Sequence, residues 1–378
     1  GVLAHSAGTV EIWQDQFIVL HLGDAFTGPL TLDYLVSDGV LQDSARVSAQ
    51  VTAGYDGVIL GSERVELLIG TGLGETIRGA EGNDTIRAEA GNDLIEGGAG
   101  ADRILGGDGF DVVDLSAGTA AQRASLTSRI GQGGHAEGDE YFGVEGLIGG
   151  AYEDTLEGDS VANLLDGAAG NDSLAGHAGA DSLTGGAGRD TLEGGSGADQ
   201  IDGGAGFDLA SYAGSMAGVA VSLAAGSAAG GDAEGDMLTG VEGLIGSDHA
   251  DLLEGDAGAN LLSAGRGDDT LIGGAGDDTL AGGRGADLIQ GGDGVDVADY
   301  SGSETGVVVN MADGLAGGGD ALGDVLIGIE IVQGSHHADH LIGDGADNRL
   351  RGGAGADTLV GGGGIDTADY ATATSAVA

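Results

Sequence analysis

Hydrophobic positions recur every nine residues along most of this chain. Residues 273–296 read GGAGDDTLAGGRGADLIQGGDGVD, with glycine at the first, second and fourth positions of each complete phrase and an aliphatic residue at the eighth. The residues around each aliphatic position suffice for a very short strand, and the glycines permit the tight turns that separate strands. The pattern therefore predicts turn, strand, turn, strand, so that two phrases make one 18-residue coil.

The nine-residue phrase is present in 23 copies, and 19 of them have Leu or Ile at position eight. Repeats of this length are typical of stacked solenoid architectures. We therefore predict an all-β fold, a right-handed parallel β-roll (β-solenoid) with two parallel sheets around a thin aliphatic core. The copies form four uninterrupted blocks, which we number 1 to 4 and which span residues 61–114, 149–211, 246–299 and 334–369.

Three connectors of 34 residues each separate the blocks, and they align with one another without gaps. Each contains a strand-like stretch, such as GVVVNM in the third, and a closing Gly-(Val/Ile)-Glu, which predicts a β-hairpin-like insertion. We expect the tyrosines that directly follow a block to cap an exposed end of the core; ligand stacking is the alternative. Connectors 1 to 3 span 115–148, 212–245 and 300–333, and a fourth that begins at Tyr370 is expected to continue beyond Ala378 in a longer protein.

The first 60 residues lack the nine-residue phrase. LTLDYLV (30–36) and ARVSAQV (45–51) both alternate apolar and polar residues around a Ser-Asp-Gly turn signal, which predicts an antiparallel hairpin. The stretch FTGPLTLDYLVSDG resembles the end of the cadherin-like, immunoglobulin-type domains of large bacterial surface proteins. That resemblance implies a partial β-sandwich-like segment at residues 1–60.

Composition narrows the classes of partner. The 378 residues include 62 acidic and 12 basic side chains, giving a formal net charge of -50, with no cysteine. This charge excludes binding that follows nucleic-acid phosphates and disfavours attraction to anionic membranes. No apolar run approaches the roughly 18 residues of a transmembrane helix. Cations are the expected partners, and disulfides add nothing to stability.

Position six of every copy carries a side-chain oxygen: 18 of the 23 residues are Asp, three are Asn and two are Glu. In an 18-residue coil, this residue stacks on its counterpart two copies away, at the spacing of about 4.8 Å between strands. Two carboxylates at about 5 Å repel by roughly 3 kcal/mol at an effective dielectric near 20. Summed over many pairs, the repulsion exceeds a typical domain stability of about 5 to 15 kcal/mol.

A hard divalent cation would reverse this repulsion. Calcium accepts six to eight oxygen ligands from carboxylates and backbone carbonyls together, whereas magnesium demands stricter octahedral geometry and zinc favours His or Cys. Calcium is therefore the predicted metal, in multiple ions. The candidate ligands are Asp84, Asp93, Asp102, Asp111, Asp154, Asp172, Asp181, Asp190, Asp199, Asp208, Asp251, Asp269, Asp278, Asp287, Asp296, Asp339, Asp357 and Asp366.

The phrase closely resembles the nonapeptide of the RTX (repeats-in-toxin) family, over about 207 residues. The resemblance implies that position-six aspartates and turn carbonyls hold calcium between coils. It also implies a chain exported unfolded by type I secretion, which folds in external calcium. If each ion bridges copies n and n+2, the blocks allow about four, five, four and two sites.

Some copies depart from the pattern. Glu66 and Glu75 lie where the glycines are also lost, and Asn163, Asn260 and Asn348 all occupy the second copy of a block. We expect these starting coils to bind calcium weakly or only to close the end of the roll. The GGDAEGD and GGDALGD stretches of the connectors are either further calcium sites or plain turns.

The segment is predicted not to be an enzyme, because it has no lysine and no isolated Ser, His and acid grouping. The favoured function is a calcium-stiffened structural or adhesive region of a large secreted or cell-surface bacterial protein. Partners other than calcium are other copies of the chain or a host or cell-surface ligand. The alternative is a calcium-binding carrier region for an enzyme or toxin whose active domain lies outside this sequence.

Overall fold

A computed structural model describes residues 57–371 in full and, before them, the backbone of five strands. Contacts between residues divide the chain into two units, residues 1–58 and 59–378. The two units are described separately.

The N-terminal unit is made of antiparallel strands. Its strands are β1 (Leu3–His5), β2 (Gly8–Trp13), β3 (Phe17–Leu22), β4 (Gly28–Ser37) and β5 (Gln42–Val51). β1, β2 and β3 form one sheet in that order, and β4 pairs with β5 over ten residues, with Leu32 opposite Val47. The predicted hairpin is therefore present, although most of its turn lies outside the described residues.

The second unit is a solenoid of very short strands. Those of block 1 and the residues just before it are β6 (Val58–Leu60), β7 (Leu67–Ile69), β8 (Thr76–Arg78), β9 (Thr85–Ala90), β10 (Leu94–Glu96), β11 (Arg103–Asp108) and β12 (Val112–Asp114). Block 2 contains β17 (Thr155–Glu157), β18 (Leu164–Asp166), β19 (Ser173–Ala175), β20 (Ser182–Gly188), β21 (Thr191–Glu193), β22 (Gln200–Gly206) and β23 (Leu209–Ser211). Block 3 contains β28 (Leu252–Glu254), β29 (Leu261–Arg266), β30 (Thr270–Ala275), β31 (Thr279–Arg284), β32 (Leu288–Asp293) and β33 (Val297–Asp299). Block 4 contains β38 (His340–Ile342), β39 (Arg349–Arg351), β40 (Thr358–Val360) and β41 (Thr367–Asp369).

Strands alternate between two parallel sheets, which confirms the predicted β-roll. Each block strand pairs with the strand two further along, so that Leu165 faces Leu183 and Leu183 faces Ile201 at a separation of 18 residues. We call the sheet with β10 sheet I and the sheet with β11 sheet II. Together they make a solenoid of about 17 coils.

The core lies between the two sheets, and each sheet contributes a single layer of side chains to it. The position-eight residues stand at the centre of their strands, and most of them, such as Leu192 and Leu280, are completely buried. Their neighbours at positions seven and nine point outward, as strand alternation requires. Removing these aliphatic stacks from water is the main apolar contribution to stability, at about 25 cal/mol per Å².

Each connector inserts an antiparallel hairpin into one of the two sheets. Connector 1 contains β13 (Arg123–Ser125), β14 (Ile130–Gln132), the 3₁₀ helix η1 (Gly134–Ala136), β15 (Glu140–Phe142) and β16 (Gly146–Ile148). Connector 2 contains β24 (Ala220–Ser222), β25 (Ser227–Ala229), η2 (Gly231–Ala233), β26 (Met237–Thr239) and β27 (Gly243–Ile245). Connector 3 contains β34 (Val308–Asn310), β35 (Leu315–Gly317), η3 (Gly319–Ala321), β36 (Val325–Ile327) and β37 (Ile331–Gln333).

In connector 1, β15 pairs with β11, β14 runs antiparallel to both β15 and β13, and β13 pairs with β17 of the next block. Sheet II therefore gains two strands at this point, whereas β12, β16 and β18 pair directly in sheet I. Connectors 2 and 3 place the corresponding hairpins in sheet I. Tyr212 and Tyr300 are buried, as expected for residues that cap the core, whereas Tyr370 is half exposed.

The number of copies in a block decides which sheet receives the next hairpin. Because successive strands alternate between sheets, the seven copies of block 2 put hairpins 1 and 2 in opposite sheets, and the six copies of block 3 put hairpins 2 and 3 in the same sheet. An odd number of copies thus changes the sheet and an even number preserves it.

We predict that deleting one copy, residues 185–193, moves hairpins 1 and 2 to the same side of the solenoid. Spin labels on cysteines replacing Ile130 and Ser227, equivalent positions of the two hairpins, should then come closer by about 10 Å, the distance between packed sheets. Deleting two copies, residues 185–202, is the control and should leave the hairpins on opposite sides. If the distance between the labels were the same in both deletion variants, after allowing for their different lengths, the number of copies would not decide which sheet receives the hairpin.

Candidate metal centres in the repeat turns

The position-six aspartates lie at the turns between strands, and one carboxylate oxygen of each bonds to a neighbouring coil. The N–H of Asp278 donates to Oδ1 of Asp296 at 2.9 Å, and the N–H of Asp190 donates to Oδ1 of Asp208 at 2.8 Å. The same bond recurs at a separation of 18 residues throughout the blocks. It brings position-six residues of copies n and n+2 together, as the repeat pattern predicts.

The second oxygen, Oδ2, has no donor in most copies. Among the described residues, 13 aspartates have an Oδ2 that is buried and without a hydrogen-bond partner. A buried polar group without a partner costs about 1 to 3 kcal/mol, and a charged group costs more. Thirteen such oxygens outweigh the stability of an ordinary domain. They belong to Asp84, Asp93, Asp102, Asp111, Asp172, Asp181, Asp190, Asp199, Asp208, Asp269, Asp278, Asp287 and Asp296.

The glycine at position one keeps the space beside Oδ2 open. A Cβ atom added to Gly185 would lie 2.5 Å from Oδ2 of Asp190 and 2.6 Å from the carbonyl oxygen of Gly203, two copies later. The space that a side chain would fill is thus lined by a carboxylate oxygen and a carbonyl oxygen. At the end of a block the connector supplies the carbonyl, since Gly291 faces Asp296 and Gly328 in the same way.

The atoms that could coordinate a metal ion in these turns are oxygens, and few of them in each turn belong to carboxylates. Within the described part of the chain, no group of three or more His, Cys, Asp or Glu side chains is placed to hold a metal ion. An ion in these turns would therefore be held by at most two carboxylates together with backbone carbonyls. Hard cations such as calcium accept this mixture of ligands.

The family model for the RTX calcium-binding nonapeptide repeat (four copies) matches just over half of the chain. The matched segments are 69–104, 78–113, 148–183, 176–210, 245–280, 272–302 and 334–368. The chain belongs to the RTX calcium-binding repeat family. RTX repeats bind calcium and form a structural domain, and the open, oxygen-lined turns of this chain fit that ion. No curated protein matches the chain.

Burial changes the ionisation of the RTX aspartates. Desolvation raises the pKa of Asp172, Asp269 and Asp287 to about 7, and repulsion from stacked carboxylates adds to it, while backbone N–H donors act in the opposite direction. Repulsion between stacked carboxylates, the effect expected from the sequence, is therefore not the main cause of the raised pKa. In the folded chain, the loss of water around each carboxylate is the larger cause.

The first copy of each later block satisfies its own carboxylate without metal. Oδ1 of Asp154 accepts the N–H of Gln122 at 2.7 Å, and Oδ2 accepts the N–H of Gly150 at 2.6 Å. Asp251 and Asp339 are bonded in the same way to connector and turn N–H groups. These three predicted ligands therefore differ from the 13 aspartates with a free oxygen.

The second copies of blocks 2 and 3 follow the same principle, whereas Asn348 in block 4 has a buried Nδ2 without a hydrogen-bond partner. Oδ1 of Asn163 accepts the N–H of Asp159, and its amide group donates to the carbonyl of Glu145 at 3.1 Å. Asn260 makes equivalent bonds to Asp256 and Glu242. An amide with its own donor hydrogens bridges these coils in the place where the other copies have only acceptors.

The outer copies are either self-satisfied or open to solvent. Oε2 of Glu66 accepts the N–H of Ser62 at 2.6 Å, and Oε2 of Glu75 accepts the N–H of Thr71 at 3.1 Å. In block 4, Asp357 is partly buried and Asp366 is exposed. The structure therefore assigns less desolvation to these two predicted ligands than to those of blocks 1 to 3.

A second ladder of side chains was missed in the sequence. Oδ1 of Asn171 at position five accepts the N–H of Arg189 at 2.9 Å, and Oδ1 of Asp277 accepts the N–H of Val295 at 3.0 Å. The signal was visible as Asn or Asp at position five. Four more residues make the same bond to the residue 18 positions later: Asn83, Asn92, Asp268 and Asp347.

The structure also bears on membrane insertion. Across the residues described, no helix has the length and apolar character required to cross a membrane.

We predict that Gly185→Ala removes at least one calcium equivalent, because the added methyl group would occupy the space between Asp190 and Gly203. Calorimetric titration of the whole chain should show the loss, together with a higher calcium concentration at half-saturation. Gly302→Ala is the control, since a Cβ there meets no atom within 4 Å. Wild-type stoichiometry in Gly185→Ala would show that ions do not use this space.

We predict opposite effects of pH with and without calcium. A carboxyl whose pKa is raised on folding stabilises the calcium-free fold below its ordinary pKa, and this contribution is lost as the pH rises through about 7. Circular dichroism in EGTA should therefore show more strand at about pH 5.5 than at about pH 8. In calcium titrations, the midpoint should shift to higher concentration at the lower pH, because protons compete for the same oxygens. Midpoints that are independent of pH would contradict this assignment.

Proposed function

We propose that residues 61–369 form a structural region of an RTX protein that folds when calcium occupies its repeat turns. The observation that carries this proposal is the row of 13 buried Oδ2 atoms without a protein donor. In 11 of these copies Oδ2 lies beside a position-one glycine, and in the other two position one is Ala88 or Ala264. A divalent cation would convert each of these destabilising acceptors into a ligand. Binding free energy would thereby become folding free energy, as in other proteins that fold around a metal.

The proposed ligands are a subset of the 18 sequence candidates. We assign calcium to the 13 aspartates with a free buried oxygen and, in block 4, to Asp357 and Asp366. Their distribution, four, five, four and two, equals the count expected if each ion bridges copies n and n+2. We assign closing roles without metal to Asp154, Asp251 and Asp339, because their oxygens already accept N–H groups.

The division into four blocks joined by three connectors is part of the proposal. Support comes from the recurrence of a hairpin and a 3₁₀ helix at 115–148, 212–245 and 300–333, between runs of nine-residue coils. Each coil contacts only its neighbours, so folding is expected to propagate along the solenoid, as in other repeat proteins.

We further propose that the protein acts outside the cell or at the bacterial surface after type I secretion. Extracellular calcium-binding modules have dissociation constants of about 10⁻⁴ to 10⁻³ M, so the chain would stay unfolded where calcium is scarce and fold after export. The high acidic charge supports this order of events, because self-repulsion favours the expanded chain until cations bind. The resemblance of the stretch FTGPLTLDYLVSDG to the end of a cadherin-like domain supports an adhesive or structural role.

The alternative role is a carrier region for a catalytic or pore-forming domain outside this sequence. The full-length open reading frame distinguishes the two roles. Further adhesive modules would support a structural rod, and an enzymatic or pore-forming domain would support the carrier.

We predict that calorimetric titration finds more than about ten calcium equivalents, and that strand circular dichroism develops with calcium and is lost with EGTA near neutral pH. Magnesium at the same concentration is the control and should produce much less structure, because it demands an octahedral site. Fewer than about five equivalents would mean that the stacked turns are not the sites.

We predict that Asp278→Ala raises the calcium concentration required for folding more than Asn163→Ala does. Asp278 has a free buried oxygen, whereas the side chain of Asn163 is bonded to protein groups on both of its polar atoms. Circular dichroism during calcium titration measures both midpoints. Equal shifts in the two variants would contradict the assignment of ligands.

A further inference from the structure

Each connector contains one aspartate that joins the carboxylate stack of the repeats. Oδ1 of Asp139 accepts the N–H of Asp102 at 2.8 Å, and Oδ1 of Asp324 accepts the N–H of Asp287 at 3.0 Å. Asp236 bonds to Asp199 in the same way at 2.9 Å. These bonds are those of a position-six residue, although each aspartate ends a glycine-rich connector stretch, GGHAEGD, GGDAEGD or GGDALGD, and not a nine-residue phrase.

The second oxygen of the connector aspartates is bonded, in contrast to the repeats. The hydroxyl of Tyr212 donates to Oδ2 of Asp236 at 3.1 Å, and that of Tyr300 donates to Oδ2 of Asp324 at 2.9 Å. In connector 1 the hydroxyl of Tyr141 reaches Oδ2 of Asp139 at 3.4 Å. The aspartate oxygen that is unpaired in the repeats is thus bonded to a tyrosine hydroxyl in the connectors.

The tyrosine comes from different places in the three connectors. In connectors 2 and 3 it is the residue that follows the block, where the repeats have their position-one glycine; in connector 3 the N–H of Tyr300 donates to the carbonyl of Gln333, as the N–H of Gly334 does to Arg351. In connector 1 that position is Leu115, and the hydroxyl belongs to Tyr141 on β15.

The rest of each pocket changes with the tyrosine. The positions equivalent to Leu115 and Tyr141 are Tyr300 and Leu326 in connector 3, so leucine and tyrosine exchange places between two buried positions. Gly131 lies where a Cβ would collide with the hydroxyl of Tyr141. The equivalent residues of connectors 2 and 3 are Ala228 and Ala316, which pack against the core.

We propose that the tyrosines of the connectors act as metal surrogates: each hydroxyl takes the place on a buried aspartate that calcium takes in the repeats, and so closes the connector to metal. The two buried arrangements of Leu and Tyr place a hydroxyl on the same aspartate oxygen, although the ring comes from different positions. The hydroxyl is therefore the feature that the three connectors share. Tyr141, Tyr212 and Tyr300 thus end one row of ions at each connector, the row that contains Asp102, Asp199 or Asp287. The proposal rests on the proposed calcium function of the repeats.

An exchange of residues in connector 1 tests the role of the hydroxyl. In the full chain with saturating calcium, Tyr141→Leu should lower the melting temperature by about 5 °C, because Oδ2 of Asp139 loses its donor. Adding Leu115→Tyr rebuilds the arrangement of connectors 2 and 3 and should restore most of the loss. Adding Leu115→Phe fills the same volume without a hydroxyl and should restore clearly less. Equal restoration by Phe and Tyr would overturn the proposal.

Calcium stoichiometry tests whether the connector aspartates are closed to metal. Asp324→Asn should bind as many calcium equivalents as the wild type, whereas the matched variant Asp190→Asn in the repeats should lose at least one. Loss of an equivalent in Asp324→Asn would overturn the proposal. If the wild type bound no calcium, the proposed function would fail, and the comparison of Phe with Tyr at position 115 would still decide the role of the hydroxyl.

Discussion

The stability of the structure depends on one group that lacks a protein partner, the buried Oδ2 of the position-six aspartates. Stacking of coils occupies Oδ1 with an N–H group, and the glycine at position one leaves open space beside Oδ2. No protein donor fills that space in 13 copies. Unpaired buried acceptors in this number destabilise the metal-free fold, and in the proposed function a cation that satisfies them drives folding.

The same carboxylate stack continues through residues whose oxygens have protein donors. Asp154 is satisfied by backbone N–H groups, Asn163 by its own amide, and Asp236 by the hydroxyl of Tyr212. Aspartates and asparagines whose oxygens have protein donors therefore lie at the start of each later block and in each connector, and the aspartates with a free oxygen lie between them. Each coil of a solenoid contacts only its neighbours, so coils whose oxygens have protein donors divide the cooperative folding unit into segments.

Charge and geometry place further constraints on the solenoid. Fifteen divalent ions, as assigned above, would offset about three fifths of the formal charge of -50, whereas the salt bridges of the arginines are mostly exposed and individually contribute little. The hairpins widen one sheet at a time, and the number of copies between two connectors decides which sheet is widened. Copy number thereby sets the side on which each connector is presented, in addition to the length of the solenoid.

The sequence by itself determined the local repeat: the nine-residue period, the buried aliphatic at position eight, and the oxygen at position six. These features follow from strand alternation and from glycine conformations, which act over a few residues. Only the tertiary structure decided that Oδ2 of Asp236 and Asp324 is paired, because its donors are tyrosine hydroxyls from residues 24 positions away in the sequence. The same holds for the placement of the hairpins, which depends on how many coils have accumulated. Whether a carboxylate oxygen has a hydrogen-bond donor depends on the assembled stack, and the sequence of a single copy does not show it.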